Sequence, residues 1–290
     1  MTVPNFNLHR RDQASGLREL ARGGGGSSLS LAILSGKGGV GKTNLAVNLA
    51  ICLAARGLRV SLVDLDMGLA NADLLIGIQP RYTLAQLVGG IRTLDEITME
   101  GPAGVRFVPG ASGLHQIANL SEFERQNLLM HLQKLEDSTD IIVFDCGAGI
   151  SRNVIRFALA AQRVMVVTTP EPTAITDAYA AIKTLQRDQY RHGVGVLVNK
   201  VSSRGEAEAT FRRLAGVAKR FLNYPIAYSG YVLQDTTVAL AVQARCPVVI
   251  RYPGSNASAC IAAVADSLVE DRADQPRRDG FFRRVAGLFV

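Results

Sequence analysis

The stretch Ser35 to Asn44 reads S-G-K-G-G-V-G-K-T-N, and its Gly36, Gly41, Lys42 and Thr43 fit the spacing G-x-x-x-x-G-K-[ST]. An apolar run, Leu29 to Leu34, comes before it, and apolar residues at helical spacing (Leu45, Ala46, Leu49, Ala50, Leu53) come after it. A strand, a glycine-rich loop and a helix in that order make a cradle for phosphate. The glycines let the backbone fold around a polyphosphate with its N–H groups inward, and the helix N-terminus adds partial positive charge. Lys42 is expected to reach the β- and γ-phosphates, and the Thr43 hydroxyl to ligate Mg²⁺. A ligand-free glycine turn would need neither flanking element. Such a cradle belongs to a doubly wound α/β fold, a mostly parallel sheet flanked by helices, with ligands off the carboxyl ends of the strands.

Lys37, directly after the first glycine, is a second lysine in the loop. One nucleotide needs a single loop lysine, and a second repels it unless another phosphate group takes the charge. The run K-G-G-V-G-K-T resembles the deviant-Walker ATPases of the MinD/ParA family. The resemblance implies that Gly36, Lys37, Gly38, Gly39, Val40, Gly41, Lys42, Thr43 and Asn44 bind ATP with Mg²⁺. It also implies that Lys37 crosses a dimer interface to the nucleotide of the partner chain, which makes ATP binding and homodimerisation one event.

At 290 residues, 48% of them hydrophobic, the chain can bury one large α/β core with short appendages. No apolar run approaches the ~18 residues of a membrane span, and the N-terminus lacks a signal-peptide core. Cys52, Cys146, Cys246 and Cys260 form no C-x-x-C pair, which fits reduced thiols in a cytoplasmic protein and no metal framework. The net charge of +7 permits an anionic partner surface without choosing between nucleic acid and lipid.

Two acidic strand ends complete the expected site. After a helix to about Arg56, with Gly57 as its left-handed cap, Arg59 to Leu65 reads as a buried strand ending at Asp64 and Asp66. Asp140 to Gly149, D-I-I-V-F-D-C-G-A-G, carries Asp145 to the end of another, where a Walker B carboxylate holds Mg²⁺ through water. By the family match, Asp66 orients the attacking water and Asp64 helps hold the metal shell. Gly147 stands where the family usually has proline (D-x-P-A-G), which frees this loop to rearrange.

The remaining elements read as scaffold with two additions. Thr83 to Val88 predicts a short helix and Val105 to Val108 a strand; Ser121 and Glu124 make a capping box for a helix to about Asp137. Arg163 to Pro170 is a core strand, followed by a helix that Thr173 or Thr176 can cap, with Asp177 in its first turn. Gly195 to Lys200 ends a strand at Asn199. A carboxamide presents donor and acceptor side by side and fits the edge of adenine, a role that family position supports; a loop-capping Asn is the other reading. The resemblance makes Glu171 a cross-dimer contact. Ile226 to Val232 is a last strand, and Leu233-Gln234-Asp235 departs from the proline and acid that relatives place there, at the adenine-pocket rim. Thr236 to Ala244 and Ser255 to about Arg272 are closing helices.

Both ends extend the reading. Residues 1–28 form a peptide on a glycine tether, too small to fold alone and suited to a partner's groove. Its Asp12, Gln13, Ala14, Leu17 and Arg18 resemble the activator segment of the flagellar-number branch of the family, the FlhG-like chains, in which it stimulates an FlhF-like GTPase. Residues 274–290 place Phe281, Phe282, Val285, Leu288 and Phe289 on one helical face beside four arginines, the profile of a helix lying in an anionic membrane surface. One such helix binds marginally; two in an ATP-held dimer gain by effective concentration. The same helix could instead pack on its own domain, docked in the monomer and released in the dimer.

The expectation is therefore a MinD-like ATPase domain over 29–273, peripherally associated with the inner face of the cell membrane and regulating flagellar number or placement. Lys37, Lys42 and Asp66 are the expected catalytic residues. An FlhF-like GTPase and flagellar C-ring components are the implied partners, with a transcription factor as a further candidate. DNA is disfavoured. A division-site MinD lacks the front peptide, and a ParA-type partition ATPase would use basic helical patches and bind DNA with steep salt dependence. A reductase like the nitrogenase iron protein would need cysteines for a bridging cluster, and none lies between the two acidic segments. A non-hydrolysing adaptor is the remaining alternative.

Overall fold

The computed structural model describes residues 28–66, 72–110, 133–273, 281 and 284–285. Eight strands form one sheet in the order β3-β4-β2-β5-β1-β6-β7-β8. They are β1 (Leu29–Ser35), β2 (Val60–Leu65), β3 (Met99–Glu100), β4 (Arg106–Val108), β5 (Ile141–Ala148), β6 (Arg163–Thr168), β7 (Val194–Val201) and β8 (Ile226–Leu233). Every pairing is parallel except β3 with β4.

The central strands are buried on both faces and read as near-continuous apolar runs, interrupted by Ser30 in β1 and Ser61 in β2. In β1, Leu29, Leu31 and Ile33 face one core, while Ala32 and Leu34 face the other. The first core lies under α1 (Lys42–Ala54) and the closing helix Asn256–Ala273. The second lies under α2 (Arg152–Ala160), α3 (Pro172–Arg187) and α4 (Arg204–Leu222). The expected doubly wound α/β sheet is the observed one.

Boundaries differ in instructive ways. α1 closes at Ala54, two residues short of the expected Arg56, because i→i+3 bonds from Arg56 and Gly57 tighten the exit; Gly57 does take positive φ (81°). The cap of α3 is Glu171, not Thr173 or Thr176, and Asp177 falls beyond its first turn. Pro172 explains this: it takes the first helical position, where its missing N–H costs nothing and its φ is preset. Asp145 does not end β5, which runs three residues further to Ala148, paired with β1 across a register shift between Ile33 and Ser35. Asn199 likewise lies inside β7. The Ser121–Glu124 capping box lies outside the described residues.

The C-terminal residues that are described pack on the chain's own core. Phe281 is 1% exposed, its ring stacked on Phe144 of β5 with centroids 4.0 Å apart, and its N–H donates to Glu136. Val285 is buried beside it, and Arg284 Nε donates to the Ala160 carbonyl at 2.7 Å. Of the five side chains expected at a membrane, Phe281 and Val285 thus face inward in this state; Phe282, Leu288 and Phe289 lie outside the described residues, as do Asp12, Gln13, Ala14, Leu17 and Arg18. Among the described residues, no helix is long and apolar enough to cross a membrane.

Candidate nucleotide site

The loop between β1 and α1 bends where only glycine fits. A Cβ on Gly36 would lie 2.0 Å from the Asp177 carbonyl oxygen, so the loop enters pressed against the backbone of α3. Gly41 caps α1 in the left-handed region (φ 89°, ψ 19°), and a Cβ there would meet Asn199 Nδ2 at 2.5 Å. The helix N-terminus therefore opens directly onto the loop with its first amides free of side-chain caps.

Beneath the loop, Lys42 Nζ lies 2.6 Å from Asp145 Oδ1, both buried (6% and 0% exposed). Asp145 stands directly across from Asp64 on the paired strand, which brings two carboxyls to one buried place. Burial, and then the Asp145 charge, push the Asp64 carboxyl up to about 7. Burial also lifts Asp145, while Lys42 and the Thr43 hydroxyl pull it the other way. Asp64 Oδ2 and Asp145 Oδ2 are buried and have no hydrogen-bond partner. With the Thr43 hydroxyl they form a hard, all-oxygen set with two free carboxylate oxygens, the chemistry that fits Mg²⁺. Among the described residues no His/Cys/Asp/Glu cluster of metal-binding type occurs, so the fit depends on a phosphate-bearing ligand supplying further oxygens.

Asp66 follows the end of β2 at the cavity wall, its N–H donating to Asp64 Oδ1 at 2.9 Å and its carboxylate lying against Gly147. A Cβ at position 147 would lie 3.5 Å from Asp66 Oδ1, an ordinary contact, so the carboxylate does not itself require glycine there. Lys37 behaves unlike Lys42. It is 40% exposed at the mouth, with Nζ 2.9 Å from Glu171 Oε2 and 3.1 Å from Thr173 Oγ1 of the same chain. Lys37 holds the Glu171 carboxyl below the usual carboxylate range. In the single chain, then, the two residues expected to reach across a dimer are paired with each other.

A cavity of ≈ 760 Å³ runs from the loop to Val232, Leu233 and Asp235, bounded by Asn199 and Val238. Asn199 is more engaged than expected: Nδ2 donates to the Val40 carbonyl at 2.7 Å and Oδ1 accepts from the Lys200 N–H at 2.9 Å. One donor and one acceptor position remain for a base edge. Asp235, the rim acid, caps the helix Thr236–Gln243 by accepting from Thr237 N–H at 2.9 Å. Two contributors escaped the sequence reading. Thr173 was expected as a cap and is instead a partner of Lys37, while Lys200, next to Asn199, places its ammonium on the loop at Gly39.

Comparisons with known proteins agree with this geometry. A family model described as the CobQ/CobB/MinD/ParA nucleotide binding domain matches residues 31–248. The antiactivator FleN of Pseudomonas aeruginosa is 43% identical over 238 residues, 82% of this chain and 85% of its own. The flagellum site-determining protein YlxH of Helicobacter pylori is 38% identical over 194 residues, 67% of this chain and 65% of its own. In fold, the chain resembles the septum site-determining protein MinD of Pyrococcus horikoshii complexed with Mg-ADP, with a TM-score of 0.66 at 22% identity, covering 86% of this chain and 100% of that one. The chain belongs to the MinD/ParA family of nucleotide-binding ATPases.

Proposed function

We propose that the chain is an ATP-driven dimerising switch that regulates the number or placement of flagella. The observation that carries this reading is the 43% identity with an antiactivator FleN across 82% of the chain. The site supplies each part that ATP hydrolysis to ADP and phosphate requires. Loop amides and Lys42 would hold the phosphates; Thr43, Asp64 and Asp145 would hold Mg²⁺, which would supply positive charge opposite the negative charge that gathers on the γ-phosphate oxygens. Asp66 accepts a hydrogen bond from the attacking water and so orients it. Asn199 meets the adenine.

Lys37 couples this chemistry to assembly. Its ion pair with Glu171 is solvent-exposed and therefore weak, so a second phosphate group presented by a partner chain displaces Glu171 readily. Dimerisation also releases the tail. Phe281 sits on Phe144, one residue from Asp145, so rearrangement of β5 around the nucleotide disturbs the tail's seat. Freed, Phe281, Phe282, Val285, Leu288 and Phe289 insert into an anionic membrane surface on the cytoplasmic side, and hydrolysis reverses the attachment. The front peptide, through Asp12, Gln13, Ala14, Leu17 and Arg18, stimulates an FlhF-like GTPase. C-ring components are the further partners.

Sedimentation with anionic liposomes tests the cycle, using ATP and ADP on the full chain and on a chain lacking residues 274–290. The full chain should pellet with ATP and stay soluble with ADP, and the shortened chain should stay soluble with both. Equal pelleting of the two chains removes the membrane step. A chain lacking residues 1–22 that still stimulates the GTPase would remove the front peptide as activator.

A further inference from the structure

The dipeptide Asn199–Lys200 grips two successive carbonyls of the phosphate loop. Asn199 Nδ2 donates to the Val40 carbonyl and Lys200 Nζ to the Gly39 carbonyl, each at 2.7 Å. The backbone that carries them is built for this. The ladder between β7 and β8 shifts register between Val198 and Val201, so both residues stand in an irregularity of the strand. Bulges of this kind re-aim side chains beside functional sites. Lys200 also adopts φ = 57°, a region that side-chain-bearing residues enter at a cost, and its N–H is held by Asn199 Oδ1.

What the grip does follows from peptide geometry. In a planar trans peptide the C=O and the next residue's N–H point in opposite directions. Drawing the Gly39 carbonyl toward Lys200 turns the Val40 N–H away from it, and drawing the Val40 carbonyl toward Asn199 does the same for the Gly41 N–H. Those two amides belong to the stretch that must present donors to phosphate. Packing anchors the turn only through the buried Val40 side chain; Gly38 and Gly39 are exposed, and the space where their Cβ atoms would lie is open to 4 Å.

We propose that Asn199 and Lys200 form a two-pronged clamp that presets the Val40 and Gly41 amides as phosphate donors, with Lys200 a positioning residue of the nucleotide site. The proposal rests on the loop's binding of nucleotide phosphates and is independent of the dimer and membrane steps. Backbone amide order parameters over residues 35–45 of the nucleotide-free full chain, together with ADP and AMP affinities, test it in Lys200→Met and Lys200→Arg. Lys200→Met should lower the order parameters of Val40 and Gly41 and weaken ADP about tenfold, the worth of one charge-assisted hydrogen bond, with AMP unchanged. Lys200→Arg should restore both. Unchanged order parameters in nucleotide-free Lys200→Met overturn the clamp, including the case in which ADP still weakens, because the ammonium then touches phosphate directly. Equal losses for ADP and AMP overturn it as well. Failure of the unaltered chain to bind ADP would instead overturn the phosphate-loop reading itself.

Discussion

Replacing Lys42 by methionine strands the Asp145 carboxylate. The two groups are 2.6 Å apart and both buried, so the ammonium is the main compensation for a charge that water does not reach. Removing one partner of a buried pair typically costs ~3–5 kcal/mol. Asp145 can take up a proton, which places the cost near the low end, about 3 kcal/mol at slightly alkaline pH. For a domain of this size that lowers Tm by roughly 6 °C. The pH dependence has a definite sign. Burial already lifts the Asp145 carboxyl and Lys42 pulls it down, so without Lys42 it rises further. The native variant then holds a proton that its unfolded chain releases above about pH 4, and its stability relative to the parent falls as pH rises. Thermal unfolding of the nucleotide-free proteins, followed by circular dichroism, should show a small gap near pH 5 and the full gap near pH 8. Adding Asp145→Asn should recover most of it. A gap below about 1 °C near pH 8, or one that does not change with pH, would refute the reasoning.

Three further outcomes are expected. Asp64, pushed up to about 7, must lose its proton to serve Mg²⁺, so binding of Mg²⁺·ADP should release close to one proton near pH 6 and almost none near pH 8. Calorimetry in buffers of different ionisation enthalpy reads this, and buffer-independent heats at the lower pH would contradict it. The same raised carboxyl costs stability as pH climbs from about 4 through 7, because the folded state binds the proton more tightly than the unfolded chain. Phe281→Ala should destabilise the nucleotide-free chain by about 3 kcal/mol in urea, as for a buried aromatic; a loss under ~1 kcal/mol would mean the tail is not seated on Phe144. Phe282→Glu should abolish ATP-dependent liposome binding and spare hydrolysis, and retained binding would count against the tail as anchor.

The fold and the floor of the site were legible because their causes are local or periodic. The buried strands declare themselves by near-continuous apolar runs, and the loop by its glycine spacing between strand and helix. The helix Arg204–Leu222, absent from the sequence reading, also carries a local start signal: Ser203 Oγ accepts the Glu206 N–H at 3.2 Å. Contacts set by tertiary approach were not legible. The Lys37–Glu171 pair spans 134 residues and Lys200 reaches Gly39 across 161, so neither leaves a mark at short range. Tail docking was an open alternative because an amphipathic helix presents the same face to lipid and to a core. In this state Phe281 on Phe144 and Arg284 on the Ala160 carbonyl place the described tail residues against the chain's own core.

The most direct measurement is the molar mass of the Asp66→Ala protein in solution with ATP and with ADP, by light scattering. The proposed cycle requires twice the chain mass with ATP and the single-chain mass with ADP, and the same protein carrying Lys37→Ala should remain single with both. A single chain with ATP, while nucleotide is demonstrably bound, would contradict an ATP-held dimer and everything built on it.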